Sequence, residues 1–229
     1  MPSLTRAEAD ARAALLTVES YEIDLDLTGP ADRFRSTTVI RFRATPGAST
    51  FVEVRPVQLH EVRLNDVPVD PAGLADNRLT LTGLRDRNTL TGAADMAYSN
   101  TGEGLHRFVD PADGATYLHA MSFLDTAQRI FAAFDQPDQK APVTPRVTAP
   151  PEWTVAGNGR LAADPAPGRW EFAPTVPLAP YFVTLIAGPW HTHRVEHDGI
   201  PLAVHCRRSL AGHLDRDIDE ILTITRQCL

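Results

Sequence analysis

Apolar and polar residues alternate through much of the first half of the chain. In residues 21–27 (YEIDLDL), the large apolar side chains are separated by single acidic ones. This period of two predicts a strand with one buried face and one solvated face, so we interpret the acidic residues as a solvated face rather than a metal site. Further short strands are predicted at residues 34–42, 51–54, 59–64, 67–69 and 79–81. Turn residues recur about every ten positions, which predicts a mainly β fold, an antiparallel β-sandwich or a saddle-like sheet.

Both ends of the chain change to a helical period. Thr5 followed by Glu8 has the spacing of a capping box, which predicts a short helix within residues 1–16. A second helix is predicted over residues 209–229, with Ser209 as its cap. Its apolar positions are Leu210, Leu214, Ile218, Ile221 and Leu222. No repeat, low-complexity tract or linker interrupts the sequence, so we predict one domain over residues 1–229.

Two strand-like segments carry residues that weaken strands. Residues 88–97 (NTLTGAADMA) contain Gly92, and residues 141–149 (APVTPRVTA) contain Pro142 and Pro145. Because a proline removes a ladder donor and a glycine has no side chain to pack, both segments are predicted to be edge strands or irregular. The three tryptophans stand at strand-like positions and are predicted to be in the core: Trp153, Trp170 and Trp190.

The overall charge and the cysteine content exclude several classes of function. The 22 basic and 29 acidic residues give a net charge of −7, which argues against a nucleic-acid partner. No apolar run approaches the roughly 18 residues of a membrane-spanning helix, and the charged N-terminal segment does not resemble a signal peptide, so no membrane association is expected. Cys206 and Cys228 do not form a disulfide framework, which makes the cytoplasm the expected location.

Residues 98–138 hold the densest set of aromatic, acidic and histidine side chains in the chain. Residues 98–111 read YSNTGEGLHRFVDP and residues 125–138 read DTAQRIFAAFDQPD. This segment resembles the N-terminal β-domain of zinc aminopeptidases of the aminopeptidase N type. The resemblance continues through residues 15–27, 149–158 and 177–191, and so covers nearly the whole chain.

In that family, catalysis requires a further domain with a G-x-M-E-N loop, an H-E-x-x-H helix and a distant Glu as the third zinc ligand. The resemblance implies that this domain would begin about where the present sequence ends. The dipeptide His60-Glu61 is not followed by a second histidine at position 64, and His191, His193 and His197 lie without an acidic or cysteine ligand at ordered spacing. We therefore expect no zinc centre and no other cofactor.

The resemblance also implies an anchor for the α-amine of a peptide, made by a Gln-x-Glu sequence after a Tyr-Leu pair. An ungapped alignment places Met121 at the Gln and Phe123 at the Glu. Neither side chain offers the accepting group that a desolvated ammonium needs. Two explanations are open, sequence drift or a change to an apolar ligand, and under both this surface no longer binds peptide N-termini.

Candidate site residues follow from the same segment. The candidate catalytic residues are His119, Tyr117, Glu103 and Asp125, and the candidate substrate-binding residues are Met121, Phe123, Phe108, His106 and Tyr98. His119 lies two residues before Met121 on the same strand face. Glu103 and His106 also fit a purely structural role in their loop, and Arg129 is expected to pair with Asp135 or Asp138. Without a partner domain, Phe108, Tyr117, Met121 and Phe123 are expected to form an apolar patch.

Three functions remain open at this point. The first is a metal-independent small-molecule binding protein, or a cyclase or isomerase, acting on an apolar, polyketide-like metabolite of secondary metabolism. The second is a non-catalytic interaction module, for example a homodimer. The third is a fragment of an aminopeptidase. The sequence favours the first, because Met121 and Phe123 replace the amine anchor that a mere fragment would retain.

Overall fold

The computed structural model describes residues 4–163 and 166–229, and it consists mainly of strands with a helix near each end. Helix α1 spans Arg6–Leu15 and helix α2 spans Ala211–Cys228. The strands, in chain order, are β1 Leu16–Asp26, β2 Arg33–Ala44, β3 Thr50–Glu53, β4 Gln58–Leu64, β5 Val67–Val69, β6 Leu74–Ala75, β7 Arg78–Leu81, β8 Arg87–Ala97, β9 Gly104–Val109, β10 Thr116–Met121, β11 Val143–Thr148, β12 Thr154–Gly157, β13 Arg169–Glu171, β14 Leu185–Gly188, β15 His191–His197 and β16 Ile200–Cys206.

The predicted N-terminal helix is confirmed, although the first three residues of the predicted range lie outside the described residues. The Thr5 hydroxyl accepts from the Glu8 N–H, and the Glu8 carboxylate accepts from the Thr5 N–H, which is the reciprocal pair of a capping box. The C-terminal helix is confirmed as well, but Ser209 is not its cap. The helix begins at Ala211 after a short turn, and the Ser209 hydroxyl instead donates to Asp110 over 2.5 Å.

The strands form four sheets among the described residues. The largest has the order β13-β11-β1-β2-β8-β4-β5, the second has the order β12-β14-β10-β9, and β3-β7-β6 and the hairpin β15-β16 complete the set. Among the named strands the mainly antiparallel prediction is confirmed with one exception, because β1 and β11 run parallel, from Tyr21 opposite Val143 to Asp26 opposite Thr148.

The two segments predicted to be edges are interior strands, so that prediction is wrong. Strand β8 pairs with β2 along its whole length and with β4 on its other side, which puts Gly92 opposite both Thr38 and Val62. Backbone hydrogen bonds to β2 and β4 hold β8 in place around Gly92, where its own side chains are small. In β11, Pro145 precedes the residues paired with β13, and its carbonyl accepts from the Phe172 N–H, so little is lost by its missing donor.

The main core lies between the large sheet and residues 127–135, which cross its inner face. Phe42 packs edge-to-face on Phe134 with ring centroids 5.0 Å apart, and the Tyr21 hydroxyl accepts from the Phe134 N–H. Within this core a cavity of about 20 Å³ beside Gly92 and Met96 has room for no more than a water molecule. This cavity is therefore too small for an organic ligand.

The tryptophan predictions hold for Trp170, which is buried in β13, but only partly for the other two. Trp153 and Trp190 are half-buried and lie just outside strands. In the described part of the chain, neither helix is both long and apolar enough to cross a membrane.

Helix α2 packs on the hairpin rather than on the main core. Its buried residues Leu214, Ile218 and Leu222 form a separate cluster with Val195, Leu202, Val204 and Cys206. The hairpin and helix thus form a small unit with its own apolar contacts, and this unit faces the β9 edge of the four-stranded sheet through Arg207 and Ser209.

Candidate functional site

Strands β9 and β10 bring two pairs of the predicted site residues face to face. In their antiparallel ladder His119 stands opposite His106, and Tyr117 stands opposite Phe108. Residues two apart in a strand share a face, so all four lie on one side of the sheet. The imidazole rings of His106 and His119 have centroids 4.7 Å apart and are tilted by 37°.

These four residues form one wall of an open cleft of about 480 Å³, which we name the histidine cleft. Its complete lining is His106, Phe108, Tyr117, His119, Trp190, His205, Cys206, Arg207 and Leu210. The last five come from β16 and the segments flanking the hairpin, and sequence reasoning missed them. The run His205-Cys206-Arg207, two titratable residues followed by a cation, could have marked this segment as a candidate. Its approach to β10, however, depends on the tertiary fold.

The hydroxyl of Tyr117 is fully engaged. It donates to Asp113 Oδ2 over 2.6 Å and accepts from the Arg208 N–H over 3.0 Å, while the ring packs on Trp190. Burial, followed by the bond to Asp113, raises the pKa of Tyr117. The side chain is 2% exposed, so the prediction that it belongs to an exposed apolar patch is wrong, because Trp190 covers it. Its catalytic role stays a prediction.

Asp110 ties the cleft wall to the hairpin unit. Its carboxylate accepts from Ser209 Oγ, the Ala112 N–H and the Arg207 guanidinium, and these bonds lower its pKa, with the Ser209 bond as the largest cause. The Arg207 guanidinium also lies over the Phe108 ring, 4.9 Å from its centroid. The arrangement fixes both sides of the cleft by charge-assisted hydrogen bonds.

The two stacked histidines differ in their bonding. The Gly102 N–H donates to His106 Nδ1 over 3.1 Å, so in a neutral His106 the proton is on Nε2. Burial is the main cause that lowers the pKa of His119, and the neighbouring His106 lowers it further. Both effects favour the neutral form of the His119 imidazole.

Glu103 is held by Arg129, with 3.1 Å between Oε2 and the guanidinium. The expected pairing of Arg129 with Asp135 or Asp138 is wrong, because its carboxylate partner is Glu103, while Asp135 accepts from the Gln128 N–H. Gly104 makes room for this arrangement. A Cβ at Gly104, whose φ is +71°, would come within 3.0 Å of Arg129 Cβ.

Met121, Phe123 and Leu124 lie at the end of β10, and we name them the apolar edge. Their exposed fractions are 48%, 54% and 62%, so the three neighbouring residues present apolar surface to solvent. The apolar edge is not part of the lining of the histidine cleft. The nearest pairing partner of Met121 is Gly104, next to the Glu103 that Arg129 already holds.

Two further predicted site residues also lie away from the cleft. Tyr98 is half-buried against Phe34, with ring centroids 5.1 Å apart, and burial raises its pKa. Asp125 is exposed, and its backbone carbonyl accepts from Gln128 Nε2. The structure thus brings His106, Phe108, Tyr117 and His119 together, and it leaves Tyr98, Glu103, Met121, Phe123 and Asp125 outside that cleft.

The described residues do not fit the zinc site of the aminopeptidases. His60 pairs with Asp95 over 3.0 Å, and His191 pairs with Asp215 over 2.8 Å. Across residues 4–163 and 166–229, no three side chains of His, Cys, Asp or Glu come together in a way that could hold a metal ion.

Comparison with known proteins bears directly on the resemblance. No protein-family model matches the chain. Its sequence is 48% identical over 234 residues to aminopeptidase N of Streptomyces lividans, a match that covers 98% of this chain. The chain spans 27% of the length of that relative. The resemblance predicted from residues 98–138 is confirmed, and the chain is similar over nearly its whole length to the N-terminal part of an aminopeptidase N.

Proposed function

We propose that this chain works as the substrate-facing β-domain of an aminopeptidase-N-type protein in which the anchor for a peptide α-amine has been replaced by an apolar surface. The observation that carries the proposal is the exposure of Met121 and Phe123 at the end of β10. These are the two positions at which the family resemblance implies Gln and Glu. Under this proposal, an apolar pair stands where the resemblance implies that a free amine is bound.

The chemistry of the apolar edge supports a change of ligand. A desolvated ammonium needs a carboxylate or several strong acceptors, and a methionine thioether and a phenyl ring supply neither. The carboxylate next to the strand partner of Met121 is Glu103, and Arg129 already neutralises it. Exposed Met and Phe side chains instead favour contact with an apolar group.

Nuclear magnetic resonance of the 229-residue chain tests this proposal. Backbone amide shifts are followed during titration with phenylalanine amide and with 3-phenylpropanamide, which is the same molecule without the amine. We expect no preference for the amine in the natural chain. The double variant Met121→Gln, Phe123→Glu should gain a preference of at least about tenfold for phenylalanine amide, because a charge-assisted bond is regained.

The control is Val67→Glu, which adds a carboxylate to an exposed apolar position on β5, the edge strand of the large sheet, whereas β10 belongs to the four-stranded sheet. It should leave the preference unchanged. A natural chain that binds the amine at least tenfold more tightly than the amine-free analogue would overturn the proposal.

The second candidate function is that of a small-molecule binding protein, with cyclase or isomerase chemistry on an apolar, polyketide-like metabolite. The histidine cleft favours it, because its volume and aromatic lining are those of a small-molecule site. His119 is the candidate proton donor and acceptor. Native mass spectrometry of the protein from its own cells tests this function: a discrete organic mass on the monomer supports it, and ligand-free protein contradicts it.

A further inference from the structure

The charge of the histidine cleft differs from that of the rest of the molecule. The chain has a net charge of −7, yet the lining of the cleft contains no Asp or Glu and includes Arg207 and three histidines. The nearby carboxylates are already bonded, Asp110 by Arg207 and Ser209, and Asp113 by the Tyr117 hydroxyl. An anion in the cleft therefore meets Arg207 and the imidazoles and no carboxylate in the lining itself.

The histidines present unused polar atoms to the cleft. His106 accepts through Nδ1, so its Nε2–H is available as a donor. His205 bonds to Thr192 through Nδ1, which leaves its Nε2 without a partner among the described residues. His119 contacts the His106 ring, and its own ring nitrogens make no hydrogen bond to the described part of the chain.

Flat apolar surfaces complete the lining. The Tyr117 and Trp190 rings pack with centroids 4.8 Å apart, and the Phe108 ring is covered on one side by Arg207. Rings stack well on such surfaces, and each stacked pair adds to the affinity beyond its buried area. A volume of about 480 Å³ is enough for one or two fused aromatic rings with a small substituent.

We propose that the histidine cleft binds a small aromatic carboxylate, with its ring against Phe108 and Trp190 and its carboxylate on the imidazoles of His106 and His119. This inference rests on the second function proposed above, and it names the chemical class of the ligand. Two neighbouring imidazoles can each donate a hydrogen bond to one oxygen of the same carboxylate. A neutral apolar metabolite has no such pair of charged acceptors.

Binding is coupled to protonation of His119. In the free protein, burial and His106 hold the pKa of His119 below its usual value. The titratable and charged groups that face it in the cleft are His106, Tyr117, His205, Cys206 and Arg207. A bound carboxylate favours the imidazolium and raises this pKa, so binding takes up a proton and is tighter at pH 6 than at pH 8.

Titration calorimetry of the full chain with 2-naphthoate and with neutral 2-naphthylmethanol tests the inference. We expect 2-naphthoate to bind at least about tenfold more tightly than the alcohol at pH 6, and to lose that advantage progressively towards pH 8. Proton uptake is measured directly by repeating the titration in buffers with different ionisation enthalpies.

Two variants locate the effect. His119→Phe keeps an aromatic ring and removes the ring nitrogens, and it should abolish both the preference for the anion and the proton uptake. His119→Gln keeps a donor without a titrating group, so it should retain naphthoate binding without the pH dependence. His193→Phe, which changes a half-buried histidine on β15 outside the cleft lining, is the matched control.

The outcomes separate the inference from the function on which it rests. Equal binding of the acid and the alcohol, unaffected by pH, would overturn the inference and leave a small-molecule cleft in place. Binding of neither compound, with thermal unfolding showing an intact fold, would overturn both. A preference for naphthoate that survives in His119→Phe would also overturn the assignment to His119.

Discussion

Arg12 and Glu53 form a bidentate ion pair inside the protein, with nitrogen–oxygen distances of 2.7 and 3.0 Å and side-chain exposures of 2% and 6%. The pair fixes α1 to β3, and Glu53 also accepts from the Asp135 N–H. Replacing both partners of a buried ion pair by apolar residues changes the free energy of unfolding little, but removing one partner leaves an uncompensated buried charge. Its effect on stability is therefore best measured by removing one side.

Arg12→Ala should lower the free energy of unfolding by about 3–5 kcal/mol, because Glu53 is left buried without its cation. Urea denaturation at pH 7 measures the change. Arg6→Ala is the control, since its pair with Asp10 has side-chain exposures of 95% and 74%, and it should change stability by less than about 1 kcal/mol. Equal effects in the two variants would contradict the role of burial.

Asp135 should make stability depend on pH. Burial is the main cause that raises its pKa from 3.8 to about 7. The folded protein then binds a proton that the unfolded chain releases, so this contribution is fully present below about pH 4, the pKa of an unfolded aspartate, and is lost as pH rises through 7. Asp135→Asn should be more stable than the natural chain at pH 8, by at least ~1 kcal/mol, and the difference should shrink towards pH 5.

Chemical denaturation at pH 5 and pH 8 provides this comparison. The exposed Asp138→Asn is the control, and its difference from the natural chain should be the same at both values. A destabilisation by Asp135→Asn that grows with pH would show that the folded protein favours the ionised carboxylate.

Gly104→Ala should destabilise the protein by about 2 kcal/mol, from a positive φ and a steric conflict together. The new Cβ would lie 3.0 Å from Arg129 Cβ, which is attached to backbone and cannot swing away. Gly102→Ala is the matched control, because its φ of +92° carries the same type of strain with no atom within 4 Å. The difference in unfolding free energy between the two variants isolates the contact with Arg129, and equal losses would argue against it.

Asp110→Ala should loosen the hairpin and α2 without unfolding the main core. It removes the acceptor shared by Arg207 and Ser209, and the remaining apolar contacts of α2 are with the hairpin. Native-state hydrogen exchange should become faster in residues 191–228 and stay unchanged in β1 and β2. Ser209→Ala removes one bond and should have a smaller effect of about 1 kcal/mol. A uniform rise in exchange would contradict the separate unit.

The alternation in residues 21–27 and the Thr5–Glu8 spacing were enough to predict β1 and α1, because burial and capping act on residues near each other in the chain. The edge positions of β8 and β11 were predicted wrongly, since local propensity counts a glycine or proline but not the neighbouring strands that hold it. Ser209 shows the same limit. Its position fits a helix cap, yet its hydroxyl donates its hydrogen bond to Asp110, about a hundred residues away in the chain.

One wall of the histidine cleft could be predicted and the other could not. His106, Phe108, Tyr117 and His119 are close in sequence, and the period of two puts them on one face. Trp190, His205 and Arg207 reach them only because Asp110 and Tyr117 bind the segment after β16. A contact of that range requires the assembled sheets.

The most direct test of the central claim, the replaced amine anchor, is a chimera of aminopeptidase N from Streptomyces lividans. Residues 1–229 of this chain replace the matched segment, and cleavage of an aminoacyl 4-nitroanilide is measured as kcat/KM. We predict a loss of at least about 100-fold relative to the parent enzyme, the size expected for losing a desolvated charge pair. Met121→Gln with Phe123→Glu in the chimera should restore at least about tenfold. An unaltered chimera as active as the parent would contradict the claim.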